Sequence, residues 1–145
     1  MKEDYIAQIR SFNRFYTMVI GILDKNYLNT EFSLTESRIM YELNIHPEGM
    51  TARDFIELLH LDKGYLSRIL QQFEKKKLIE KKSVAHDKRS YLLYLSQTGK
   101  QAFSQLNENS QLQTEELLSP LKEKQMIKLI EHMNGIRQIL SQTNI

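Results

Sequence analysis

Six stretches of the chain space their apolar residues as helices do, and one switches to the period of a strand. In the first stretch, about Lys2 to Lys25, Tyr5, Ile9, Phe12, Tyr16, Val19 and Leu23 recur at steps of four and three. They trace one apolar stripe, widened by Ile6, Phe15, Ile20 and Ile22. Ser33-Leu34-Thr35-Glu36 has the spacing of a capping box and opens a helix carrying Ile39, Met40 and Leu43. That helix must stop before Pro47, because the residue ahead of a proline avoids helical angles. Thr51, with Asp54 three residues on, caps a short helix, Ala52 to Leu59. After the tight connection His60-Leu61-Asp62, a further helix runs from Asp62 to about Lys76 with Leu66, Ile69, Leu70 and Phe73 inward. Two helices joined by so short a turn form a helix-turn-helix.

The period then changes. Residues 78–84 and 90–95 read as two strands, with a turn-rich tip at 85–89, and together they predict a β-hairpin. A helix from Gly99 to about Ser119 follows, Pro120 interrupts it, and Lys122 to Leu140 forms the last one. An N-terminal helix this apolar needs something to pack on, and a partner subunit is one candidate.

Composition narrows the function more by exclusion than by assertion. The chain has 145 residues, 41% hydrophobic and 26% charged, which suits one ordinary globular domain. It has no apolar run long enough to span a membrane and no signal-peptide pattern, so a cytoplasmic protein is expected. The absence of cysteine removes disulfides, thiolate metal sites and thiol oxidation. None of the four histidines has a metal-ligand spacing, and no P-loop, nucleophile elbow or dinucleotide fingerprint occurs. No enzyme activity, cofactor or metal is therefore expected. Net charge is only +2, but residues 51–91 hold ten basic and six acidic residues. A basic centre between near-neutral flanks suits a polyanion, although a solvated lysine-rich face gives the same count.

The outward face of the helix from Asp62 carries Lys63, Gly64, Ser67, Arg68, Gln71 and Lys75. Arginine pairs bidentately with guanine, glutamine with adenine, and serine with either bases or phosphates. Lysines near the ends suit phosphate oxygens, and Gly64 permits close approach to a duplex. The hairpin adds His86, Lys88 and Arg89, a cationic tip suited to a minor groove. Asp87 fits there as a brace for the turn or for Arg89. A polar helix face or a charged hairpin is ordinary alone; the two in chain order beside a helix-turn-helix are not.

At Leu61-Asp62-Lys63-Gly64-Tyr65-Leu66-Ser67-Arg68, Asp87-Lys88-Arg89 and Leu95-Ser96-Gln97-Thr98-Gly99, the sequence resembles the MarR family of winged helix-turn-helix regulators. The resemblance implies a mainly α fold with a small β-hairpin wing. It implies one domain over 1–145, with a DNA-binding lobe at about 33–96 and dimerisation helices at about 1–28 and 99–145. It further implies a homodimeric repressor on a palindromic double-stranded operator, with the Lys63–Gln71 face in the major groove, Arg89 in the minor groove and Thr51 also among the DNA-binding residues. A small aromatic or anionic effector relieves binding in such proteins. Phe12, Arg14, Tyr16 and Tyr41 are the residues that could line its cavity here, the alternative being that these rings are ordinary core. The competing function is a protein-interaction module that uses the winged helix to dock a partner. In one place the chain departs from the family pattern: Lys77 stands where a glycine usually ends the recognition helix. Either Lys77 is left-handed at some cost, or the helix ends differently.

Overall fold

A computed structural model describes residues 2–21, 27–84 and 87–143, with the backbone alone for 27 and 87–89. The described residues form α1 (Lys2–Val19), a single 3-10 turn (Tyr27–Asn29), α2 (Leu34–Ile45), α3 (Ala52–Leu59) and α4 (Lys63–Lys75). After these come β1 (Ile79–Val84), β2 (Asp87–Leu95), α5 (Gln97–Leu118) and α6 (Glu123–Leu140). The fold is thus mainly helical, with one antiparallel hairpin, as the periodicity predicts. By internal packing the chain forms two compact units, residues 1–109 and 110–145.

Short-range chemistry sets most boundaries in the first unit. The Ser33 side chain accepts from the Glu36 N–H, and the Glu36 carboxylate accepts from the Ser33 N–H at 2.7 Å. Thr51 and Asp54 make the same reciprocal pair at the start of α3. Asp62 caps α4 by accepting from the Tyr65 N–H at 2.9 Å. Such caps contribute about 1 kcal/mol each, because they satisfy amides that no helical carbonyl can reach.

α1 is shorter than the stripe predicts. It ends at Val19, and Gly21 turns left-handed at φ 70° with its N–H bonded to the Met18 carbonyl. A glycine takes this conformation freely, and it outweighs the apolar periodicity continuing beyond it. Residues 22–25 of the expected helix lie outside the described residues.

The end of α4 resolves the alternatives at Lys77. Lys77 is left-handed, at φ 57°. The Leu78 N–H reaches back to the Phe73 carbonyl at 2.8 Å, and the Lys77 N–H to the Glu74 carbonyl at 2.9 Å. This is a Schellman ending, and Leu78 and Phe73 are both buried against it. Since a lysine Cβ is disfavoured at this angle, Lys77→Gly is expected to stabilise the chain by about 1 kcal/mol, read as a raised urea midpoint at unchanged slope.

The core joins the helix-turn-helix to the hairpin. Phe55, Ile39, Met40, Leu66 and Phe73 are its most deeply buried side chains, with Leu78, Ile79, Leu93, Leu95 and Leu106 around them. The hairpin register runs from Ile79–Leu95 to Ser83–Tyr91, then shifts so that Val84 pairs with Asp87. Lys88, Arg89 and Ser90 therefore have no counterparts on β1, which makes a bulge. β2 is accordingly longer than the stretch 90–95 expected of it, and residues 87–89 belong to the strand rather than to the tip. Backbone pairing across the bulge recruits them, a non-local effect that turn composition does not register.

Two packing features here were not foreseen. Met50 and Leu93 exchange both backbone hydrogen bonds, at 3.1 and 2.8 Å, which ties the α2–α3 connection to the wing. Gly49, at φ 90°, lies against the Tyr94 ring so closely that a Cβ would stand 2.7 Å from Tyr94 Cζ. At the base of the wing, Ser96 Oγ donates to the Lys77 carbonyl at 2.6 Å and accepts from the Gly99 N–H at 3.0 Å. Ser96 thereby caps α5 and fastens it to the end of α4.

Candidate nucleic-acid interface

Burying Leu66, Ile69, Leu70 and Phe73 fixes how α4 is turned. The opposite side, with Lys63, Gly64, Ser67, Arg68, Gln71 and Lys75, is exposed. From Gly64 to Lys75 this strip is roughly 16 Å long at 1.5 Å rise per residue. An α-helix of that kind fits a major groove about 12 Å wide. α3 approaches α4 through the left-handed His60, at φ 51°, which makes the sharp bend of the helix-turn-helix.

The electrostatics of the strip separate its cations from their neighbours. Lys76 is paired to Glu31 at 3.2 Å and Lys81 to Glu74 at 2.6 Å. Lys63, Arg68 and Lys75 have no carboxylate partner among the described residues. Within α4 itself the one acid is Glu74, and Lys81 neutralises it. The Asp62 carboxylate is occupied by the cap. The face therefore carries an excess of positive charge, Lys63, Arg68 and Lys75 against the Asp62 carboxylate at its start, together with amide and hydroxyl groups, which suits phosphates and base edges. Arg68 lies over the Tyr65 ring, its Cζ 6.0 Å from the centroid. The Thr51 hydroxyl oxygen accepts from Asp54, but its hydrogen is left to donate.

On the wing, Asp87, Lys88 and Arg89 occupy strand and bulge positions at the start of β2. His86 lies outside the described residues. Further down, Lys81 sits over Tyr91 at 5.2 Å and Lys82 over Tyr94 at 4.7 Å, so these two lysines are held along the hairpin by aromatic faces.

The residues considered for an effector form two ring clusters. Phe12 and Tyr16 stack on α1 with centroids 5.6 Å apart, and Arg14 is exposed on the same helix. Tyr41, on α2, instead meets Phe103 at 6.3 Å and the Arg38 guanidinium at 5.7 Å. Phe12 and Tyr41 are each close to half exposed in the single chain, so neither is core within it.

A buried acid on α2 escaped the sequence reading. Glu42 is 3% exposed and pairs with Arg38 at 2.7 Å and His46 at 3.7 Å, one helical turn away on either side. The i,i+4 spacing was the available signal, but its burial depends on the surrounding packing. His46 also meets Glu48 at 2.9 Å. Glu48's own backbone N–H and then His46 hold that exposed carboxyl below its usual range. Among the described residues no group of histidines and acids could hold a metal ion, and no helix is long and apolar enough to cross a membrane.

Comparison with known proteins accords with this geometry. A sequence model of the MarR family matches residues 31–90, from the loop before α2 into the wing. A search of curated protein sequences returned no match. Solved structures share the fold across nearly the whole chain. A mutant of MarR from E. coli, complexed with operator DNA, is 19% identical over 94% of this chain and 97% of its own, with a TM-score of 0.71. A mutant of MepR from S. aureus is likewise 19% identical over 94% and 97%, at a TM-score of 0.71. The PcaV transcriptional regulator from Streptomyces coelicolor is 16% identical over 94% and 97%, at 0.69.

Proposed function

From the premise that residues 31–90 are a MarR-family winged helix, we propose that the chain is a homodimeric, cytoplasmic transcription regulator that represses from a palindromic operator. The observation that carries the reading is the exposed α4 face, where Lys63, Arg68 and Lys75 have no carboxylate partner among the described residues and stand beside Ser67 and Gln71. Lys63 and Lys75 contact phosphates, and Ser67, Arg68 and Gln71 read base edges. Gly64 lets the first turn of α4 come close, and the Thr51 hydroxyl donates to the backbone. On the wing, the family resemblance assigns Arg89 to the minor groove, with His86 and Lys88 as further cations and Asp87 as a brace. The activity is binding, without a catalytic step.

The dimer rests on the apolar faces at both ends of the chain. α1 buries none of its residues and exposes Tyr5, Ile6, Ile9, Phe12 and Phe15. α6 likewise buries none and exposes Ile130, Met133, Ile136 and Ile139. An exposed apolar face on each of these helices suits a contact with another protein. A two-fold dimer would set two copies of α4 into successive major grooves about 34 Å apart. Relief by a small aromatic or anionic effector at Phe12, Arg14, Tyr16 and Tyr41 would act by favouring a dimer whose half-site spacing no longer fits.

The test is retardation of a duplex selected from a random pool. Arg68→Ala and Arg89→Ala should each weaken binding by about 1–3 kcal/mol, with base preference relaxed in the former alone. Affinity of the unaltered protein should fall steeply with salt, as counterion release requires. Unchanged retardation in both variants at moderate salt would overturn the assignment of these residues.

A further inference from the structure

Arg68 is the one residue on the α4 face capable of a planar, two-point contact with guanine, and two neighbours define where its head lies. The Tyr65 ring, one helical turn earlier, has the Arg68 Cζ 6.0 Å from its centroid. On the other side, a Cβ added to Gly64 would stand 4.0 Å from Arg68 Nη1, so the bare backbone of Gly64 borders the space the guanidinium occupies. No carboxylate among the described residues forms an ion pair with it, and Tyr65 is itself 37% exposed. A flexible arginine reads a base only when its fork is aimed, and freedom lost before binding is not lost during it.

We propose that Tyr65 is a positioning residue that aims Arg68 and so sets the base preference of α4. The assignment rests on the DNA-binding reading above. The ring acts by holding the cation over its face, so the aromatic ring is required and the hydroxyl is not.

The experiment uses the full chain and the duplex that the unaltered protein enriches most from a random pool. A second duplex is changed at the base where Arg68→Ala loses discrimination. Tyr65→Ala should bind the first duplex about two- to fivefold more weakly, the range of an exposed cation–ring contact, and the second with little change. Tyr65→Phe should restore both the affinity and the preference. In an Arg68→Ala background, Tyr65→Ala should have no further effect. An equal loss on both duplexes, or a loss persisting in that background, overturns the assignment, because Tyr65 would then touch DNA itself or merely support the helix. If the unaltered protein enriches no duplex, the DNA-binding reading fails and takes this assignment with it. If Arg68→Ala loses discrimination and Tyr65→Ala does not, only the role of Tyr65 fails.

Discussion

Gly99→Ala should lower the stability of the chain by about 3 kcal/mol, towards the upper end of what overpacking costs. A methyl group at this position would lie well inside contact distance of the Leu78 carbonyl oxygen and 3.0 Å from the carbonyl carbon. Neither is the end of a movable side chain. Leu78 is fixed on one side by its bond to Phe73 and on the other by the Ser96 N–H, which donates to that same carbonyl at 3.0 Å. Leu95 Cδ2, at 3.1 Å, closes the remaining direction. Relief would require α5 to back away from the end of α4, breaking the Ser96 bond to the Lys77 carbonyl. Alanine is ordinarily the better helix former by about 1 kcal/mol, so the sign of the effect itself discriminates. Thermal unfolding should show a fall of roughly 10 °C. A fall of less than about 2 °C would mean that α5 is not seated as described.

The second large effect concerns assembly. Ile130 is 57% exposed in the single chain, so Ile130→Glu should cost an isolated protomer no more than about 0.5 kcal/mol. In a dimer that buries α6, the same change places a carboxylate in an apolar contact and should break it. Light scattering should then report a mass near 17.2 kDa instead of twice that. Helical circular dichroism should persist if the protomer is stable alone. DNA affinity should fall on the order of 10²- to 10⁴-fold, because two linked half-sites gain that much over one. An unaltered mass and unaltered affinity would remove α6 from the interface.

What could be read from the sequence follows the range of the interactions involved. Ser33 with Glu36, Thr51 with Asp54, and Asp62 with Tyr65 are contacts across three residues, and each marks its helix start where the structure has it. The buried face of α4 was equally legible, because one period of 3.6 residues decides both what is inside and what is offered outside. The features that escaped depend on distant pairings. Nothing near Met50 shows that it bridges Leu93, and nothing near Glu42 shows that it is buried. The bulge at 88–90 shifts Asp87 and Arg89 from a turn into a strand, and only the register of two separated segments can reveal it. Gly21 is the exception, a local signal overridden in the reading by a persuasive apolar stripe. Lys77 posed a choice between two physical outcomes, and the left-handed one prevails because the Leu78–Phe73 contact rewards it.

The Met50–Leu93 bridge has a consequence for solubility. A two-stranded sheet has two open edges, and β2 carries the apolar run Tyr91-Leu92-Leu93-Tyr94-Leu95, a sequence prone to stacking with copies of itself. Its outer edge is not free to recruit them. Leu93 already spends both backbone groups on Met50, and the bulge before Tyr91 breaks the straight run a foreign strand would need. Along the other edge, β1 presents Glu80, Lys81 and Lys82, charges that an incoming strand would have to bury. The wing can therefore stand as a two-stranded hairpin without becoming a template for fibrils.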